Sequence, residues 1–434
     1  MRLMILTKKR IFKIHRFLLL LLFTFIINLP IASFSKAVEK SIRPKSIFQE
    51  YRILSEPGSD EIHLEFIDWI SKFRITALAA GISPKFFDKL MLEIKYNETL
   101  IKLDRKQSEF TKQIWEYLDV AVSDTRIKNG KRAYQENKEV IQEIEKYYSV
   151  DAKIIVGIWG LESAYGVQKG NVETIEALAT LAFDGRRQKF FEEQLIAALK
   201  ILERGDISFG EMKGSWAGAM GHTQFIPTSY LEYAQDFNSD GRAEIWSSDP
   251  TDALASTAYY LNRHGWIRGQ PWGLEVRLPE NFNYHLIGKK KKKNTIDWSL
   301  LGVRTINGDS LPNYGGASII LPAGHTGVVL MIFDNFHVLE KYNASLAYVL
   351  GVGHLGDRIM DGKSFHHKWP RNEEALSTNE KKELQEFLLH SGFNIGKVDG
   401  MIGPKTIEAI RSLQSKLGKI PDGFATKDFL KGLK

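Results

Sequence analysis

The chain has 434 residues, 43% of them apolar and 26% charged, and no cysteine. That length accommodates two or three domains with real cores, and the composition excludes wholesale disorder, a collagen repeat and a disulfide-stapled scaffold. The formal charge is +7, but seven of the 59 Lys and Arg residues lie in residues 1–37 with no acidic residue among them, leaving 52 basic against 52 acidic residues elsewhere. The basic excess belongs to that segment alone, so nucleic acid is not expected as a partner.

Residues 1–37 read as an export signal. Lys8 to Arg16 form a positive region, Phe17–Leu29 an apolar run of 13 residues, Pro30 a break, and Ser35-Lys36-Ala37 an imperfect small-x-small cleavage site. A spanning helix needs about 20 apolar residues, so the run suits a signal better than a membrane span. An uncleaved anchor is the alternative, and the membrane is a partner only in that case. With no cysteine the chain cannot be a lipoprotein, and the expected location is the periplasm.

A helical region of about 45–366 follows. LEFIDWISKF and IWEYLDVAV carry apolar residues at three- and four-residue spacing. Helix is expected again from Asp151 to about Gly205, then a glycine-rich passage at 210–221 and an Asp-rich loop at 236–252. Between about 272 and 323 the texture changes to Gly, Pro, Asn and alternating apolar residues, which predicts a β-rich insert. Its Lys289–Lys293 run reads as a solvated loop. Helical texture returns at Thr326–Met360. A linker at 367–375, near which the isolated pair His366-His367 reads as solvated, leads to a compact unit at 376–434.

Within Asp151–Gly166, Ser149 or Asp151 is placed to cap a helix and Gly166 to end it. Ile155, Ile158, Trp159 and Glu162 then share one face. A carboxyl among Ile and Trp side chains loses hydration, which raises its pKa toward the range a general acid needs. A structural glutamate bonded to backbone or Arg is the competing reading. In the loop DFNSDGRAEIWSSDPTD, Asp236, Asn238, Asp240 and Gly241 match positions 1, 3, 5 and 6 of an EF-hand, but position 12 is Ser247, which excludes an ordinary EF-hand. A metal-free Asx turn is the alternative to Ca²⁺.

GIWGLESAYG, ALATLAFDGRRQKFF, GSWAGAMGHTQFIPTSY, NRHGW and KYNASLAYVLGVGHL, in this order over about 200 residues, resemble the lytic murein transglycosylase B family. The resemblance implies a mainly α (α+β) fold. It has a lysozyme-like helical catalytic core, a flanking helical region and a small β region. It further implies cleavage of peptidoglycan glycan strands between N-acetylmuramic acid and N-acetylglucosamine, leaving a 1,6-anhydro end, with Glu162 as acid and then base. The matching groove residues are Ser215, Gln224, Phe225, Arg186, Arg187, Tyr260, Tyr342, Asn343 and Tyr348. Rings stack on sugars, amides and hydroxyls give directional hydrogen bonds, and Arg pairs with carboxylates.

In that family the Asp-rich loop is longer and ends on an Asp, here Asp252 with Asp249 as its rival. Arg242 contributes its carbonyl, so the ligands of a structural Ca²⁺ would be Asp236, Asn238, Asp240, Arg242 and Asp252. No cofactor is expected for the chemistry. The unit at 376–434 resembles a three-helix peptidoglycan-binding domain, with Asp399, Gly400, Gly403, Pro404 and Thr406 at its helix junction and a core of Leu384, Phe387, Leu388, Ile407, Ile410 and Leu413. Two rival readings remain open. One is a hydrolase of the same bond with Glu176 or Asp184 as second carboxylate, and the other is a non-catalytic wall-binding scaffold. Proteins of cell-wall synthesis or remodelling are the expected protein partners.

Overall fold

The computed structural model describes residues 61–106 and 113–434. The signal-type segment at 1–37 and the start of the expected helical region, up to residue 60, lie outside the described residues. Seven helices come first: α1 (Glu61–Ala79), α2 (Pro84–Met91), α3 (Glu98–Lys106), α4 (Ile114–Ala121), α5 (Asp124–Glu136), α6 (Lys138–Tyr148) and α7 (Ala152–Ser163). A short β1 (Val172–Glu173) precedes the antiparallel helices α8 (Thr174–Asp184) and α9 (Gln188–Arg204). It pairs with β2 (Lys213–Gly214), which opens the glycine-rich loop before α10 (Pro227–Tyr233) and α11 (Thr251–Arg263).

The insert follows: β3 (Gly273–Arg277), β4 (Lys293–Asn294), α12 (Thr295–Leu300), β5 (Arg304–Thr305), β6 (Gly316–Ile320) and β7 (Leu330–Ile332). They form an antiparallel sheet in the order β4-β6-β7-β3-β5. The insert therefore runs to 332 rather than 323, and contains a helix. The reason is visible in β7. Leu330 and Ile332 face the main helical core while Met331 faces the insert's own core with Val276, Trp298 and Ile319. A strand buried on both faces loses the apolar–polar alternation that marks a strand, so VVLMIF reads as helix from sequence. The lysine run is also less free than expected. Lys289 pairs with Glu340, Lys291 reaches the His285 carbonyl (2.6 Å), Lys292 meets Asp334 (2.6 Å), and Lys293 belongs to β4.

Helices α13 (Asp334–Tyr342) and α14 (Leu346–Ile359) return to the main core. Helix α7 is its centre: nine of its twelve residues are buried, so it is covered on all sides rather than along one stripe. It packs directly on α14 through glycines. A Cβ at Gly157 would lie 2.6 Å from the Val352 carbonyl oxygen, and one at Gly356 would lie 2.3 Å from that of Lys153. Any larger residue at either position pushes the two helices apart. The capping expectation needs correction. Asp151 spends its carboxylate on the Trp266 indole N–H (2.8 Å) and the Gly269 N–H, while Glu145 takes the Ala152 N–H (3.1 Å). The helix ends at Ser163, where Ala164 and Tyr165 turn left-handed (φ 50° and 62°) ahead of Gly166.

The linker is strapped to the body. Arg371 forks onto Asp119 (2.7 Å twice), Phe365 stacks on His354, and His367 Nδ1 lies 2.8 Å from Glu275, so this histidine is paired rather than solvated. Beyond it, α15 (Thr378–His390), α16 (Pro404–Lys416) and α17 (Lys427–Lys431) enclose a core of Leu376, Leu384, Leu388, Ile395, Ile410, Leu413 and Phe429. Phe387 only edges this core. Gln385, buried, accepts from the Asp399 and Gly400 N–H groups and donates to Asp399, which fixes the turn into Pro404 at the first position of α16. This unit docks on the insert: Arg411 donates to the Ile287 carbonyl (2.9 Å), and Asp422 accepts from His325 (2.6 Å).

Candidate active site

Glu162 sits in the last turn of α7 and is half-buried as a residue. Tyr348 of α14 donates its hydroxyl to Glu162 Oε1 at 2.6 Å. Burial lifts the Glu162 carboxyl from the ordinary 4.5 to about 7; the Tyr348 hydrogen bond pulls the other way and loses. Burial first, and then the facing Glu162 charge, also push the hydroxyls of Tyr117, Tyr342 and Tyr348 upward, so all three stay protonated donors. Arg126 turns its guanidinium to the Gly160 carbonyl behind the same helix turn.

An aromatic wall extends from this point. The Tyr342 and Tyr348 rings are parallel with centroids 6.4 Å apart, Tyr260 meets Tyr342 edge-on at 5.1 Å, and Phe225 lies 6.0 Å from Tyr260 and 6.1 Å from Tyr342. The hydroxyls anchor the wall to backbone: Tyr342 to the Thr223 carbonyl (2.6 Å) and Tyr260 to that of Lys341 (2.7 Å). Gln224, left-handed at φ 54°, donates to the Lys169 and Gly221 carbonyls; Ser215 Oγ accepts from Ala219 N (3.1 Å). Asn343 is exposed and accepts from Ser345 N, one residue before α14.

Arg186 and Arg187 lie apart from this cluster in their contacts. Both direct their guanidinium groups at Asp104, which is 1% exposed. Burial alone would raise that carboxyl, but the two arginine hydrogen bonds and charges hold it below its ordinary value. The two residues considered as second carboxylates are engaged elsewhere. Glu176 accepts from Asn97 (2.8 Å) and Asp184 from Arg105 (2.6 Å). Among the described residues no carboxylate bonds to Glu162 or perturbs its charge. Tyr117 is the residue not singled out from sequence; it lies in IWEYLDVAV, where its helical spacing marks it only as core.

The Asp-rich loop closes on itself. Asp236, Asp240 and Asp252 bring carboxylate oxygens within 4.8 Å of one another. Asp252, 2% exposed, accepts from Phe237, Asn238 and Glu244 N–H groups, and its pKa is raised by burial, with Asp236 adding to the rise. Asn238 donates to Asp240, and Arg242 directs its side chain toward Glu244 (3.7 Å). Asp249 stands outside the group, accepting from Thr251 N and Oγ1 at the start of α11.

Residues 65–357 match the transglycosylase SLT domain family, which is two thirds of the sequence. The chain belongs to that family. Residues 377–433 match a second family, described as a peptidoglycan binding domain. The chain is 44% identical to SltB3 from Pseudomonas aeruginosa, crystallised with NAG-anhNAM-pentapeptide; the match covers 85% of this chain and 99% of that one, with a TM-score of 0.82. It is 31% identical to membrane-bound lytic murein transglycosylase B of Escherichia coli (strain K12) over 245 residues, 55% of this chain and 65% of that relative's length. Slt35 of Escherichia coli in complex with calcium matches at 26% identity and a TM-score of 0.60, covering 74% of this chain and 98% of that one.

A carboxyl whose folded pKa lies above its unfolded value binds its proton more tightly in the native state. The family member therefore loses stability at this position as pH rises from 4.5 through about 7. Glu162→Gln removes the titration. In urea unfolding the variant should gain about 3 kcal/mol on wild type at pH 8, and the gain should shrink to a few tenths of a kcal/mol near pH 4.5.

Proposed function

We propose that this protein is an exported lytic transglycosylase of peptidoglycan, cutting the β-1,4 bond from N-acetylmuramic acid to N-acetylglucosamine. The observation that carries the reading is a carboxyl lifted toward neutrality by burial and bonded by Tyr348, on which no second carboxylate acts among the described residues. Two-carboxylate glycosidases need a partner for nucleophilic attack or for activating water. With one carboxyl, Glu162 gives its proton to the glycosidic oxygen as the C1–O bond breaks, and the substrate's own acetamido oxygen takes up the developing charge at C1. Ionised Glu162 then removes the proton from the muramic C6 hydroxyl, whose oxygen bonds to C1 and displaces the acetamido oxygen. The product carries a 1,6-anhydro end, and no water is consumed. The Tyr348 hydroxyl steadies the carboxylate between the two proton transfers.

The ring wall of Phe225, Tyr260, Tyr342 and Tyr348 supports binding of a sugar strand, with Gln224, Ser215 and Asn343 beside it as polar contacts. Arg186 and Arg187, partly exposed, would meet carboxylates of the strand while keeping their hold on Asp104. The 377–433 unit would keep the enzyme on its insoluble substrate and raise local concentration. The segment at 1–37 supports a periplasmic location. Purified wild type acting on sacculi should release fragments ending in 1,6-anhydro-muramic acid, and Glu162→Gln should release none by mass analysis. Reducing ends would instead establish a hydrolase.

The Asp236, Asp240 and Asp252 group fits a structural Ca²⁺. Three carboxylates converge, none pairs with Lys or Arg among the described residues, and hard oxygen donors suit this ion. Asn238 and the Arg242 carbonyl would complete the set, and the ion would knit 236–242 to the start of α11 without entering the chemistry. Millimolar Ca²⁺ should raise the melting temperature, and a chelator should lower it. An unchanged melting temperature, or an equal rise with Asp252→Asn, would refute the site.

A further inference from the structure

Two residues flank Glu162 on α7 and both end on the same partner. Trp159, three positions before it, donates its indole N–H to His222 Nδ1 at 3.1 Å. Ser163, one position after it, donates its hydroxyl to the His222 carbonyl and accepts the Gly166 N–H at 2.9 Å. With Nδ1 occupied as an acceptor, Nε2 carries the hydrogen and donates to the Ser247 carbonyl (2.8 Å), while the His222 N–H donates to that of Ile245 (3.0 Å). The ring is 3% exposed and fits because residue 166 is glycine: a Cβ there would stand 2.5 Å from the imidazole.

We infer that His222 is a positioning residue for Glu162, joining the last turn of α7 to the loop that carries the sugar-binding groove. The three residues after it each fix a part of that groove: Thr223 accepts from Tyr342, Gln224 donates to Lys169 and Gly221, and Phe225 packs on Tyr260 and Tyr342. The offset between the proton donor and the bound sugar is therefore set where His222 meets Trp159 and Ser163.

The joint requires a neutral imidazole, because a second ring N–H would face the indole N–H. Burial supplies that state, drawing the His222 pKa from 6.5 to about 4; the Lys169 charge acts in the same direction, and the Ser247 carbonyl and Asp249 oppose it without prevailing. Lys169 itself is held to the Trp246 and Ser247 carbonyls (2.6 and 2.7 Å). A cavity of about 440 Å³, lined by Trp159, Tyr165, Lys169 and His222 among others, lies beside the joint. A smaller side chain at 222 opens into it and leaves the indole without a fixed acceptor.

The inference rests on Glu162 being the acid–base group, and wild-type turnover on a soluble GlcNAc–MurNAc tetrasaccharide with stem peptides tests that reading separately. Asn at 222 offers its carbonyl near the place of Nδ1, whereas Gln offers its amide near the place of Nε2 and leaves Trp159 unbonded. His222→Gln should lower kcat by roughly tenfold to a hundredfold with KM within about twofold, the size expected for a misplaced catalytic group. His222→Asn should recover most of the rate. Trp159→Phe should match His222→Gln, and the double variant should fall no further. In ¹⁵N-histidine spectra of the wild-type full chain, the resonance lost in His222→Asn should show the Nε2-protonated tautomer at pH 7. An active wild type with unchanged kcat in His222→Gln, a loss confined to KM, or an Nδ1-protonated tautomer would each overturn the inference. So would variants that merely unfold together while that tautomer is absent.

Discussion

The hydrogen bond from Tyr348 to Glu162 is the contact on which the rest of the site depends. Its two residues come from α7 and α14, helices far apart in sequence that approach closely enough only because Gly157 and Gly356 present backbone to backbone. The same crossing carries the Lys153–Asp357 ion pair (2.7 Å), and Asp357 also accepts the Trp272 indole N–H (2.9 Å) from the residue just before β3. Tertiary packing thus places a carboxyl in a poorly hydrated position where its protonated form is favoured. One hydroxyl is left to receive its charge when the proton leaves.

Desolvation costs stability, and the fold meets that cost with a centre that is otherwise apolar. Within α7 itself Ile154, Ile155, Val156 and Ile158 are all fully buried. Functional tension of this kind is usual where a side chain must be ready to exchange a proton. The aromatic cluster beside Glu162 follows a different rule. Tyr260 and Tyr342 direct their hydroxyls into backbone carbonyls, and their rings pack on each other and on Phe225, which holds the cluster in place.

Much of this was legible from sequence where chemistry and spacing coincide. GIWGLESAYG marked Glu162 and its environment, and the D-G-x-x-G-P turn marked the helix junction that Gln385 secures. What escaped was set by partners distant in the chain. Asp151 reads as a cap, yet an indole 115 residues away claims it. VVLMIF reads as helix because both faces of β7 are covered. Tyr117 carries no mark of its place beside Glu162, and Arg186 and Arg187 gave no sign of their common anchor on Asp104. The D-x-x-D-A setting favours Asp252 over Asp249, and the folded loop puts Asp252 in the carboxylate group while Asp249 bonds Thr251.

The central claim is that one carboxyl holds its proton near neutral pH because protein has replaced water around it. Infrared difference spectroscopy, wild type minus Glu162→Gln across pH 4 to 9, isolates the protonated carboxyl stretch of Glu162. The account predicts that this band titrates away near pH 7. Loss of the band near pH 4.5 would contradict it.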